Sequence, residues 1–320
     1  MVSHALTVDF PPQPWTGRFD GDGAEHRRWW QAVTPFAPPA SPAASPAAAR
    51  PAVILGFSSD EGVRRNKGRP GAAAAPAAIR AALGPLAFHL GRDVFDAGDV
   101  TVRDESLEAG QARAGSAISR LIDSGQLPVV LGGGHETAFA SYLGVAGSAA
   151  VRDGLRVGVL NLDAHFDLRD EPVPSSGTPF LQMARAEAAA GRELKYAVVG
   201  ISEPNNTRAL FRTAEELGVD YLLDEDCSAE AAQAFVAAFL AQVDALYLTI
   251  DLDVLPASVA PGVSAPAAYG VPLPVISAVC RQVAASGKLL HLDVAELNPE
   301  FDIDARTAKV AARLVNTLLG

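Results

Sequence analysis

The chain has 320 residues, 49% of them hydrophobic and 20% charged, which is enough to bury a large core and excludes a chain disordered throughout. A net charge of −11 argues against nucleic acid or an anionic membrane as the main partner. Cys227 and Cys280 make no disulfide framework, MVSHALTVDFPP lacks the basic and apolar regions of a secretory leader, and no apolar run reaches membrane-spanning length, so a cytoplasmic protein is expected.

Trp15, Trp29 and Trp30 stand among charged residues near the N-terminus, where packing against the main domain is the expected role and an oligomer contact the alternative. Residues 35–51 are dense in Pro, Ala and Ser, cannot continue a helix, and read as a linker. Residues 1–50 are therefore expected to form an extension and linker, and residues 51–320 one α/β domain. Residues 53–57 read as a first strand and 60–72 as a Gly-punctuated loop near the site. Apolar strand runs follow at 127–131, 157–162, 196–201, 221–223, 246–250 and 289–292, separated by helical stretches such as 229–242. This βαβ rhythm predicts a parallel sheet flanked by helices and leaves the strand order open.

Four of those strands end in ligand-type residues: Gly132-Gly133-Gly134-His135-Glu136, Asp163-Ala164-His165-Phe166-Asp167, Asp251-Leu252-Asp253 and, more loosely, Asp293 to Glu296. A parallel sheet gathers such groups in the crevice at the carboxyl ends of its strands. Asp163, Asp167, Asp251 and Asp253 would repel one another there, and two divalent cations would neutralise them. Asp-x-His-x-Asp is the strongest motif, because i, i+2, i+4 spacing on extended backbone puts three donors on one side. The glycine run alone is weak and matches neither nucleotide-binding pattern, and Asp251-Leu252-Asp253 alone could cap a helix. Two imidazoles and four carboxylates without a thiolate suit Mn²⁺, with Fe²⁺, Co²⁺ or Ni²⁺ as substitutes.

The strings LGGGHETAF, NLDAHFDLR, TIDLDVLPAS and LDVAELNP resemble the signatures of the ureohydrolases, the arginase and agmatinase superfamily. WTGRFDG, RRWWQ, FSSDEGVRRNKGRPGA, Arg169 and the segment Ser176-Gly177-Thr178-Pro179-Phe180 resemble, within it, the formimidoylglutamases of histidine degradation. The resemblance implies a three-layer α/β/α fold with a mainly parallel, about eight-stranded sheet, and assembly into trimers or hexamers. It implies two Mn²⁺ ions per chain, one held by His135, Asp163, Asp167 and Asp251, the other by Asp163, His165, Asp251 and Asp253, with Asp163 and Asp251 bridging. It places Glu296 against the amidinium of the substrate, and Phe180 where arginases and agmatinases have a proton-shuttling histidine.

The expected reaction is hydrolysis of N-formimidoyl-L-glutamate to L-glutamate and formamide, with Asp167 carrying a proton to the departing nitrogen and Glu296 orienting the amidinium. Substrate carboxylates call for guanidinium forks, for which Arg169 is the first candidate, ahead of Arg64, Arg65 and Arg69; Asn205 and Asn206 are candidates to position substrate or to begin the next helix. The alternatives are another ureohydrolase acting on agmatine, guanidinobutyrate or arginine, a dinuclear phosphoesterase, which would lack its usual Gly-Asn-His element, and a noncatalytic metal-binding protein.

Overall fold

Nine strands form a single sheet in the computed structural model, which describes residues 6–37 and 49–320: β1 (Thr34–Pro35), β2 (Ala52–Ser58), β3 (Val94–Thr101), β4 (Leu127–Leu131), β5 (Val157–Leu162), β6 (Lys195–Ile201), β7 (Asp220–Leu223), β8 (Ala245–Asp251) and β9 (Leu289–Ala295). Most of the stretch expected to be a linker, residues 38–48, lies outside the described residues. The strand order is β1-β3-β2-β4-β9-β8-β5-β6-β7, and every neighbouring pair is parallel. The count is nine rather than about eight, the additional strand being the two-residue β1 from the N-terminal segment.

Fully buried apolar runs such as β4, β8 and β9 need cover on both faces, and parallel strands need crossover helices. On one face lie Ala75–Leu83, Ala229–Leu240, Leu273–Ala285 and Arg306–Leu319, which contribute Ile79, Val236, Val279 and Leu314 to one core. On the other, Leu107–Asp123, Thr137–Gly147 and Pro179–Ala189 contribute Ile118, Val145 and Met183 to a second. The result is the three-layer α/β/α sandwich expected from the sequence.

β3 escapes the strand pattern because Asp96, Gly98 and Asp99 interrupt it; the fold accommodates the acids with Arg80, which pairs with Asp96 at 2.9 Å and Asp99 at 2.7 Å. The N-terminal segment packs on this side. Trp15 donates its indole N–H to Asp96 (2.7 Å) and stacks on Trp29, which is fully buried, meets Phe88 edge-on, and donates to Asn316 of the last helix at 2.9 Å. Both tryptophans thus serve packing within the chain.

Candidate metal centre and its cleft

The turn after β4 is built on glycine for a steric reason. A Cβ on Gly133 would collide with the carbonyl oxygen of Ser59. The close approach is used: Gly134 N–H donates to Ser59 O (3.0 Å), Gly132 N–H to Val294 O (2.8 Å), and Gly133 O accepts from Glu296 N–H (2.8 Å). The turn is thereby pinned between the ends of β2 and β9, and His135 emerges at the crossing, its own N–H donating to Glu296 Oε1 at 2.7 Å.

His135 Nδ1 lies 3.1 Å from Asp163 Oδ2, 3.0 Å from Asp167 Oδ2 and 3.2 Å from Asp251 Oδ2. Its Nε2 sits 3.0 Å from Thr249 Oγ1. With Nε2–H donating to that hydroxyl, the Nδ1 lone pair faces the carboxylates, the arrangement a ligating imidazole needs. His165 Nδ1 lies 3.0 Å from Asp253 Oδ2 and 3.6 Å from Asp163 Oδ1. Donor atoms thus converge in two groups that share Asp163: His135, Asp163, Asp167 and Asp251, and Asp163, His165 and Asp253. Asp251, which the resemblance places in both groups, stands only in the first, its Oδ1 accepting from Asp253 N–H at 2.8 Å.

The donor set fits divalent cations. Burial pushes the carboxyl of Asp251 well up, and the charges of Asp253 and Asp163 push it further. Burial and the Asp163 charge likewise raise Asp167. Burial works against a charged His135, yet hydrogen bonds with Asp163, Asp167 and Asp251 raise its imidazole well above the ordinary value. Every one of these shifts expresses a buried cluster short of positive charge, and the donors are all oxygen and nitrogen, as Mn²⁺ prefers.

The cluster opens into a cleft of about 350 Å³. Glu296 lines it, and burial together with the charge of Glu136 pushes its carboxyl up to about 8. Glu136 is itself raised to about 7 by burial; its Oε1 accepts from Ser59 Oγ–H (2.7 Å) and Gly62 N–H (2.9 Å). Asp167 (φ 49°) and Glu296 (φ 69°) both hold left-handed backbone, a conformation that costs a residue with a Cβ about 1–2 kcal/mol and concentrates at functional sites.

The other expected residues fall into distinct environments. Arg169 lines the cleft and is exposed, with no side-chain hydrogen bond or ion pair among the described residues. Arg69 also lines it; its guanidinium donates to the carbonyls of Val263 and Ser264 and lies 3.9 Å over the Phe301 ring, which leaves further N–H groups for a ligand. Asn205 lines the cleft in the turn Glu203–Asn205. Asn206 lines it too, but its amide accepts from Phe166 N–H and donates to the carbonyls of Ala164 and Ser202, which holds the Asp-x-His-x-Asp loop in place. Arg64 and Arg65 pair with Glu61 and, respectively, with Glu105 and Glu108, and stand outside the cleft wall. Asp293 accepts from Tyr247 O–H at 2.6 Å and belongs to neither ligand group. Phe180 is fully buried, stacked on Tyr196 (4.3 Å) and edge-on to His135 (5.4 Å).

Sequence reading passed over Lys67 and Asn66 in the wall, the latter donating to Ser176 Oγ at 3.1 Å. Their signal was present, since both interrupt the run of candidate arginines at 64, 65 and 69. A second cavity, about 300 Å³, lies where β5 and β6 begin, at the far end of those strands from the ligands; it is largely apolar and has no imidazole in its wall.

The Arginase family profile matches residues 50–320. The formimidoylglutamase of Nocardia farcinica is 58% identical over 309 residues, covering 97% of this chain and 96% of that protein. That of Aeromonas hydrophila is 51% identical, covering 95% and 96%. Among solved structures, Trypanosoma cruzi formiminoglutamase with Mn²⁺₂ superposes with a TM-score of 0.76 at 25% identity, over 84% of this chain and 92% of that one. With a profile match over most of its length and near full-length relatives at this identity, the chain belongs to the arginase family.

Proposed function

We propose that this protein hydrolyses N-formimidoyl-L-glutamate to L-glutamate and formamide, a step of histidine degradation, with two Mn²⁺ ions held by His135, Asp163, His165, Asp167, Asp251 and Asp253. The observation that carries the reading is the pair of interlocked imidazole–carboxylate groups sharing Asp163 at the base of a cleft walled by Glu296 and cationic side chains. The formimidoylglutamase name of relatives at up to 58% identity supports the substrate. When bound, the metals would lower the pKa of a bound water so that a nucleophile exists near neutral pH.

The chain's own residues do the rest. Glu296 has one carboxylate oxygen committed to His135 N–H, and the other is available to an amidinium N–H. The carboxyl is raised by burial and by Glu136, so an incoming cation restores its charge, and a neutral amide gains less from the same site. Asp167, raised by burial and the Asp163 charge, can take a proton from the attacking water and give it to the glutamate nitrogen as the C–N bond breaks. Arg169 and Arg69 receive the carboxylates, the latter preorganised by Val263, Ser264 and Phe301, with Asn205 beside them and Asn206 fixing the ligand loop.

The test is a substrate panel on Mn²⁺-reconstituted protein with N-formimidoyl-L-glutamate, arginine, agmatine and guanidinobutyrate, each with and without chelator. Chelator-sensitive release of glutamate and formamide from the first alone is expected. Urea from another substrate with the first inert overturns the substrate, and silence on all four overturns the substrate too and favours an untested amidine or a noncatalytic role. We further propose a cytoplasmic homo-oligomer, a trimer or hexamer; a monomer mass by light scattering would remove that part.

A further inference from the structure

Lys67 occupies a backbone site that ordinarily belongs to glycine. The helix Glu61–Arg65 ends with Asn66, and two hydrogen bonds close it: Lys67 N–H to Arg64 O (3.0 Å) and Gly68 N–H to Val63 O (2.9 Å). This is the double closure whose pivotal residue adopts left-handed backbone and is usually glycine. Here the pivot is Lys67, at φ 61°, although a glycine stands next to it. A lysine at such a position carries a conformational cost relative to glycine, which the surrounding structure offsets.

Of the non-glycine residues with left-handed backbone, three line the cleft: Asp167, Glu296 and Lys67. The first two are the carboxylates to which the proposed reaction assigns chemistry. Lys67 is exposed and, like Arg169, has no hydrogen bond or ion pair from its side chain among the described residues, whereas Arg69 is already anchored and Arg64 and Arg65 are paired outside. Two open cationic heads therefore face a cleft whose proposed substrate brings two carboxylates.

We infer that Lys67 is a specificity-determining residue, its ammonium joining Arg69 on one carboxylate of the dicarboxylate substrate while Arg169 binds the other. The inference rests on the proposed reaction. An ammonium on a four-carbon stem forms a charge-assisted bond at the cleft mouth without requiring the fixed fork of a guanidinium. The backbone cost at Lys67 is then retained for binding rather than for folding.

The experiment compares Lys67→Gly, Lys67→Arg and wild type on N-formimidoyl-L-glutamate and on its α-amide and γ-amide analogues, with melting temperature and L-glutamate affinity by calorimetry as independent readouts. Lys67→Gly should melt at or above wild type, because glycine suits the backbone, yet raise KM about tenfold to a hundredfold, the loss of one charge-assisted bond, and raise it more than it lowers kcat. Its L-glutamate affinity should fall in parallel, Lys67→Arg should retain most of kcat/KM, and the KM difference between wild type and Lys67→Gly should vanish on one of the two amides. An unchanged KM and glutamate affinity in Lys67→Gly, or an equal rise on the diacid and both amides, overturns the role of Lys67 while leaving the reaction standing. A wild type inert on the diacid overturns both.

Discussion

His135 is held at both ring nitrogens, by three carboxylates on one side and the Thr249 hydroxyl on the other. Thr249→Val removes the acceptor that fixes the tautomer while nearly keeping the shape; Mn²⁺ affinity, followed by titration with electron paramagnetic resonance, should fall about 10–100-fold. An unchanged affinity would show that the hydroxyl does not orient the ring. Asp253→Ala deletes a donor of the second group only, so metal analysis should find one ion per chain instead of two, with activity lost. Two ions and full activity in that variant would sink the dinuclear assignment. The convergence of these six side chains was legible because strand spacing and residue type speak locally. Asn206 was a candidate, but its part in holding the ligand loop was not readable, since its partners Phe166 and Ala164 come from a loop some forty positions away that only tertiary folding brings near. For Arg64 and Arg65 the competing acids, Glu61, Glu105 and Glu108, lay in plain view, but which arginine each would take depended on how the loop folds.

Between elements, the helices Thr137–Gly147 and Pro179–Ala189 are tied by a polar knot in which the buried Glu187 accepts from Tyr142 O–H (2.6 Å) and from the exposed Arg192. Burial alone would raise the Glu187 carboxyl, but the bonds from Arg192 and Tyr142 outweigh it and leave the group below its ordinary value of 4.5. A depressed carboxylate contributes stability that is present above the unfolded pKa and lost as pH falls through the folded one. Wild type should therefore melt above Glu187→Gln near pH 7, and the two curves should converge as pH drops below 4.5. A gap independent of pH would assign the effect to packing. The element pattern itself was readable wherever apolar runs were unbroken, as in β4 and β5, whose limits match the sequence reading. β3 was missed because its acids look like a loop until Arg80 and Trp15 are seen to satisfy them.

For the molecule as a whole, metal bound only by the folded state adds stability by mass action. At free Mn²⁺ about a hundredfold above its dissociation constant the gain is about 2.7 kcal/mol per site, so the melting temperature should rise with Mn²⁺ and fall with chelator. A melting temperature indifferent to both would argue against a site formed on folding. The three layers could be foreseen from the alternation of strands and helices, whereas strand order could not, because nothing local in residues 289–295 announces that β9 enters between β4 and β8. That insertion has a consequence for how the protein is made. β9 is the last of the nine strands to be synthesised, and it joins the half-sheet β1-β3-β2-β4 to the half-sheet β8-β5-β6-β7. A nascent chain that has reached residue 288 already carries all six donors, yet His135 stands on one half and the five others on the other, with the inner edges of β4 and β8 unpaired. The donor group that includes His135 can thus assemble only once β9 has joined the two halves, whereas Asp163, His165 and Asp253 already share one of them, the price of a parallel sheet rich in distant contacts.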